Sequence, residues 1–219
     1  MKEKVRPDQE LICINVDKVY DWVLKENTFD FTPQSPLTFP SVPAGADFQN
    51  ATYTCEVRPV PQAENPVVIL DRVNREFIID GKRVCLQQLT IRKRFRLVVV
   101  MTLPNGEVYR STPIDVARSE QVILCAPEDT EVTVTYTDLD CFVSSTGTVT
   151  RGGAGAPETR NLFYFSNLVV TIRTCQSIQS TFPVTVEFLA DFCHPRAELA
   201  IGSCPLPSRP PQCHSIFPE

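Results

Sequence analysis

The feature that most constrains this chain is a succession of short apolar–polar alternations separated by turn dipeptides, with no capped amphipathic helix between them. Val67–Val73 is followed by Glu76–Val84, and Asp80-Gly81 sits inside the second run. Thr90–Leu103, with Ile91, Phe95, Leu97 and Val98–Val100, runs into Asn105-Gly106. Both dipeptides tolerate the positive φ that tight hairpins require. The return run, Val108–Val116, is half polar, as a one-sided or edge strand would be. Further strands are expected at Gln121–Cys125, Glu131–Tyr136, Phe142–Thr150, Asn161–Cys175 and Val184–Phe192. In Glu131–Tyr136, Val132, Val134 and Tyr136 alternate with polar residues, so one face is buried. These runs predict an all-β, antiparallel, jelly-roll-like β-sandwich over residues 50–195.

The flanks differ from this body. Residues 1–49 read as an N-terminal arm and linker. Phe31–Pro43 has four prolines in thirteen residues, which excludes helix and central strand because proline lacks an N–H and fixes φ. It reads as an extended linker or as a segment laid over a surface. Before it, Leu11, Ile12, Ile14 and Val16 form an alternating strand, and Val19, Tyr20 and Val23 follow at helical spacing. That strand could dock on its own core or add to the sheet edge of a neighbour. Residues 196–219, with Cys204, Cys213 and many prolines, form a tail that offers little to a sheet.

Nine cysteines and two histidines limit the chemistry. The polar first ten residues carry no apolar signal core, and no run approaches the ~20 apolar residues of a membrane helix. Synthesis in a cytosol is therefore expected, where disulfides are rare. An odd cysteine count leaves at least one thiol for an intermolecular bridge, a metal or burial. Cys13, Cys204 and Cys213 are the cross-link candidates, because arm and tail supply little core to bury them. Cys193-His194, Cys204 and Cys213-His214 pair adjacent residues whose side chains diverge, unlike zinc-ligand pairs spaced two to four apart. No metal or cofactor is expected. No Gly-x-Ser-x-Gly elbow occurs, and Asp138 and Asp140 read as a solvated turn rather than an acid/base pair. No enzyme activity is expected. Arg92, Arg94 and Arg96 share one strand face, but a net charge of −5 argues against nucleic acid and anionic membranes as partners.

Ile12-Cys-Ile-Asn-Val-Asp-Lys-Val-Tyr-Asp-Trp-Val23 resembles the opening of a set of endospore coat and exosporium proteins of spore-forming Firmicutes. Val184-Thr-Val-Glu-Phe-Leu-Ala-Asp-Phe-Cys-His-Pro195 is similar to a closing strand of the same group, loosely related to the spore-coat-assembly type of domain. The resemblance implies a structural component made in the mother-cell cytosol, deposited on the spore surface and oxidised when the mother cell lyses. Its partners would be copies of itself and other spore-surface proteins. The expected function is self-assembly stabilised by strand exchange and disulfides. The alternative is a β-sandwich module binding carbohydrate or a protein ligand, for which Phe163, Tyr164 and Phe165 are the candidate aromatic platform.

Overall fold

The computed structural model describes residues 9–34, 36–152 and 161–191. Its strands are β1 (Gln9–Phe31), β2 (Leu37–Thr38), β3 (Thr52–Pro59), β4 (Val67–Ile79), β5 (Lys82–Thr102), β6 (Val108–Arg110), β7 (Ile114–Leu124), β8 (Glu131–Ser145), β9 (Val149–Arg151), β10 (Leu162–Phe165) and β11 (Val169–Asp191). A 3-10 turn, Gln62–Glu64, accompanies them. The fold is an all-β antiparallel sandwich. The described residues fall into two units, Asn15–Val184 and a smaller one holding 9–14 and 185–191, with β1 and β11 contributing to both.

In the larger unit, β5 is the spine of one sheet. One of its edges is occupied by β4 and then β3, the other by β7 and then β6. The handover from β4 to β3 falls at Arg94, whose N–H donates to Pro66 O while its carbonyl accepts from Val60 N–H. No ladder bond is lost where the chain detours through the 3-10 turn. The facing sheet has the order β1-β11-β8. A third, small sheet, β2-β10-β9, is tied to the first where Thr112 N–H donates to Thr38 O.

The two turn dipeptides form hairpins by different routes. Asp80 and Gly81 both have positive φ, 50° and 74°, so the two-residue turn matches the twist of β4 and β5. At the β5–β6 turn only Gly106 is left-handed, at φ 87°. Leu103 N–H donates to Glu107 O and Gly106 N–H to Leu103 O, the pattern of a longer turn with a glycine bulge. Pro104 supplies the fixed φ that such a turn uses.

Several strand boundaries differ from the sequence reading. The expected helical turns at Val19–Val23 are strand instead, because Val23, Lys25, Asn27 and Phe29 alternate inward towards the facing sheet. Val108–Val116 breaks into β6 and β7 at Ser111–Pro113, where the proline cannot donate. Ser111 fills the gap by exchanging bonds with Val99 through its N–H and its Oγ. Phe142–Thr150 breaks at Gly147, φ 58°, where a Cβ would lie 2.3 Å from Ser166 Oγ and 2.8 Å from Asn167 N. Asn161–Cys175 likewise divides into β10 and the start of β11.

The proline-rich segment is laid over the body and completes its core. Leu37, Phe39 and Val42 are buried, Phe39 completely. Phe39 meets Phe163 edge-on at 5.2 Å, and Phe48 meets the same ring at 5.4 Å. These residues join Phe95, Leu97, Val99, Met101, Val170 and Ile172 in the larger of two core clusters. Leu89, Ile91, Val122, Leu124, Ala126 and Ile178 form the smaller. Prolines suit this course, since sheet pairing is confined to Leu37–Thr38 and Phe39, which bond β10 and Asn161, and the flanking positions need few N–H donors. Cys55 of β3 and Cys141 of β8 are disulfide-bonded across 86 residues of sequence and staple one open side of the sandwich. Closing a loop of that length restricts the unfolded chain by up to ~4–5 kcal/mol.

Candidate assembly surface and a buried polar layer

The arm residues singled out by sequence all lie on β1. Leu11 and Ile12 are half-buried, while every residue from Cys13 to Tyr20 is exposed. Ordinary half-buried strands alternate, because one face is covered. Here the larger unit exposes Val16, Val19 and Tyr20, with Trp22 and Leu24 further along at 60% and 69%. In the smaller unit Ile14, Val186 and Phe188 are exposed. Among the described residues the ladder partner of β1 is β11. Cys13 is an exposed free thiol. Cys204 and Cys213 lie outside the described residues, as do Cys193, His194 and His214.

A second such region lies at the far end of the β4–β5 hairpin. The distal parts of β4 and β5 pair with each other up to Ile79↔Lys82, while β7 reaches β5 only as far as Gln87. Val68, Leu70, Val73, Ile78 and Ile79 are exposed along β4, Ile78 at 76%. Cys85 is a second exposed free thiol in this hairpin. The signal was available: Phe77, Ile78 and Ile79 are consecutive apolar residues at a hairpin end, where alternation on a covered strand would have placed a polar one.

On the side of the sandwich opposite the disulfide, β1 protects the margin of β7 through side chains. Asp21 Oδ2 accepts Cys125 N–H at 2.7 Å, and Lys25 Nζ donates to Gln121 O at 2.7 Å. Backbone groups of an edge strand are thus satisfied without continuing the sheet.

Between the two core clusters runs a polar layer, to which five strands contribute at one level. The inward row of β5 reads Leu89, Ile91, Lys93, Phe95, Leu97, all essentially buried. Lys93 is the break in it. Its Nζ lies 2.7 Å from Glu120 Oε1 on β7 and donates to Gln176 Oε1 on β11 at 2.7 Å. Gln176 Nε2 donates to the same Glu120 Oε1 at 2.7 Å. Asn27 Nδ2 donates to Glu120 Oε2 at 3.1 Å, and Lys25 stands 3.7 Å from it. Tyr136 on β8 is the register partner of Gln176, and its buried hydroxyl has no hydrogen-bond partner among the described residues.

Burial lowers the basicity of the Lys93 amine, and the Lys25 and Arg118 charges push the same way, against the restoring pull of Glu120. Burial alone would raise Glu120, but the Lys93 hydrogen bond and charge, with Lys25 and Gln176, hold its carboxyl below the ordinary range. Burial, with the Glu120 charge, pushes the Tyr136 hydroxyl far up, so it stays a neutral donor. Residues of this kind could have been found in the sequence as polar interruptions of period-two apolar rows.

The remaining candidates are engaged structurally. Arg96 pairs with Glu64 at 2.6 Å, and Arg94 donates to Glu64 O, so the 3-10 turn engages two of the three arginines and neutralises Arg96. Arg92 is exposed. Asp138 pairs with Arg173 at 2.9 Å, and Asp140 accepts the Cys141 N–H. Phe163 is fully buried and Phe165 packs edge-on against Tyr53, leaving Tyr164 as the exposed member of that trio. Among the described residues no group of three His, Cys, Asp or Glu converges to hold a metal, and no helix is long and apolar enough to cross a membrane. No protein-family model, curated protein or solved structure matches the chain.

Proposed function

We propose that this chain is a structural subunit that assembles with copies of itself, through β1 and with thiol cross-links, rather than an enzyme. The observation that carries the reading is the exposure of every residue from Cys13 to Tyr20 in a segment rich in β-branched and aromatic side chains. A strand with both faces in water gains little from its own fold, and apolar residues so placed mark contact surfaces. In a polymer β1 pairs with a neighbouring subunit, where main-chain hydrogen bonds give affinity and Val16, Val19 and Tyr20 give register. Exchange of an identical element between copies can close a ring or continue as a filament. Cys13 and Cys85 then make dissociation slow, with Cys204 and Cys213 as further candidates.

The resemblance at 12–23 and 184–195 supports a setting on the endospore surface, with synthesis in the mother-cell cytosol and oxidation after lysis. Other spore-surface proteins would be the neighbouring partners. The decisive experiment removes residues 1–20, which leaves the inward contacts of Asp21, Lys25, Asn27 and Phe29 in place. The shortened chain is expected to stay monomeric where the full chain assembles. Replacing Cys13 and Cys85 by serine is expected to preserve assembly but make it dissociate at lower denaturant concentration. Equal assembly with and without residues 1–20 contradicts the reading.

A further inference from the structure

We propose that Lys93 and Gln176 are joined by an intramolecular isopeptide bond, formed autocatalytically with Glu120 as the proton carrier. The observations are geometric. A primary amine, a carboxamide and a carboxylate close a triangle with three contacts of 2.7 Å, Nζ to Gln176 Oε1, Nζ to Glu120 Oε1 and Gln176 Nε2 to the same Glu120 oxygen. All three side chains are buried, Lys93 at 1% and Glu120 at 5% exposure, with Gln176 at 1%. They come from β5, β7 and β11, so the fold itself assembles them and excludes water from them.

Amides do not react with amines in solution, because the carboxamide is a weak electrophile whose nitrogen leaves only when protonated, the amine is itself protonated and the encounter is bimolecular. Each obstacle is reduced here. Fixing the reacting groups in contact replaces a bimolecular encounter by a unimolecular step. Burial and the nearby Lys25 and Arg118 charges favour the neutral amine. Glu120 Oε1 touches both nitrogens, the one that must lose protons and the one that must gain them.

The step balances. Lys93 ammonium passes a proton to Glu120, and the freed Nζ lone pair attacks Gln176 Cδ. The Nζ–Cδ bond forms, the Cδ–Nε2 bond breaks, and Glu120 relays the protons to the departing nitrogen. Two of the three ammonium protons leave with Nε2 as an ammonium ion, and the third remains on the new amide. Charge is conserved and no oxidant or co-reactant is required. The product would tie the spine of one sheet to the central strand of the other, in the polar layer between the two core clusters.

The test is the intact mass of the full chain, purified, reduced and denatured. The expected mass is below the sequence mass by one ammonia. Asn105-Gly106 can also lose ammonia by cyclising, so a peptide map must place the loss in a branched species linking the Lys93 and Gln176 peptides. Lys93→Arg and Glu120→Gln chains are expected at full sequence mass. A wild-type chain at full sequence mass overturns the proposal, as does a loss that maps to Asn105 or that persists in Lys93→Arg. Persistence in Glu120→Gln overturns the role given to the carboxylate. If the variants do not fold, the wild-type mass and map still decide the question.

Discussion

Replacing Phe39 by alanine tests whether the proline-rich segment is part of the core or a tether beside it. Phe39 has no exposed surface and meets Phe163 edge-on at 5.2 Å. Truncating a buried phenylalanine costs about 3–5 kcal/mol, of which the aromatic pair accounts for about 0.5–1.5. With a urea slope near the upper end of the usual range, about 2–3 kcal/mol per molar, the midpoint should fall by about 1–2.5 M. The slope itself should not change, because the surface exposed on unfolding stays nearly the same. Pro40→Ala, next in the chain but exposed, should move the midpoint by less than about 0.5 kcal/mol equivalent. Equilibrium urea unfolding, followed by circular dichroism and by Trp22 fluorescence, gives both quantities. A double cycle with Phe163→Ala should show coupling, since both changes empty one site. A loss under about 1 kcal/mol for Phe39→Ala, or strict additivity with Phe163→Ala, would show that the segment is a tether beside the core.

Two further outcomes follow from local geometry. Gly147→Ala should destabilise by about 1–3 kcal/mol from its left-handed backbone alone, with the contact against Ser166 and Asn167 added, whereas Gly45→Ala, with open space around it, should be near neutral in the same melt. The Tyr53 hydroxyl is pushed by burial from 10.0 to about 12. Its folded value is raised, so its contribution is complete below pH 10 and is lost as pH rises towards 12, where the unfolded tyrosine ionises first. In alkaline titration of stability, Tyr53→Phe should decline less steeply than wild type over that window, and identical slopes would count against the assignment.

Much of the sandwich was legible because strand signals are local. Asp80-Gly81 and the alternation Val132, Val134, Tyr136 report their own turn and their own buried face. What escaped depends on contacts distant in sequence. Val19–Val23 has helical spacing, yet pairing with β11 holds it extended, and β11 lies about 155 residues away in the chain, as the Trp22–Ser177 bond shows. Phe39 and Val42 are surrounded by prolines, so composition left open a linker or a segment laid over a surface, and burial is decided by Phe163, distant in sequence. The polar layer was missed for a different reason. Lys93 sits among Arg92, Arg94 and Arg96, and a basic run reads as a solvated face unless period two is followed through it. Counted by parity, Lys93 falls on the row of Leu89, Ile91, Phe95 and Leu97, and its partners had to be sought on other strands. Cys55–Cys141 could not be paired from sequence, because spacing says nothing of which sheets their strands join.

In the proposed assembly, β1 is the element through which copies of this chain associate. Sedimentation velocity of the full chain and of the chain lacking residues 1–20, over the same concentrations and with reductant present, tests it most directly. The full chain should sediment as concentration-dependent oligomers or polymers, and the shortened chain as a folded monomer with an unchanged β-type circular dichroism spectrum. Oligomers of equal size from both chains, or a full chain that remains monomeric at all concentrations, would contradict the account.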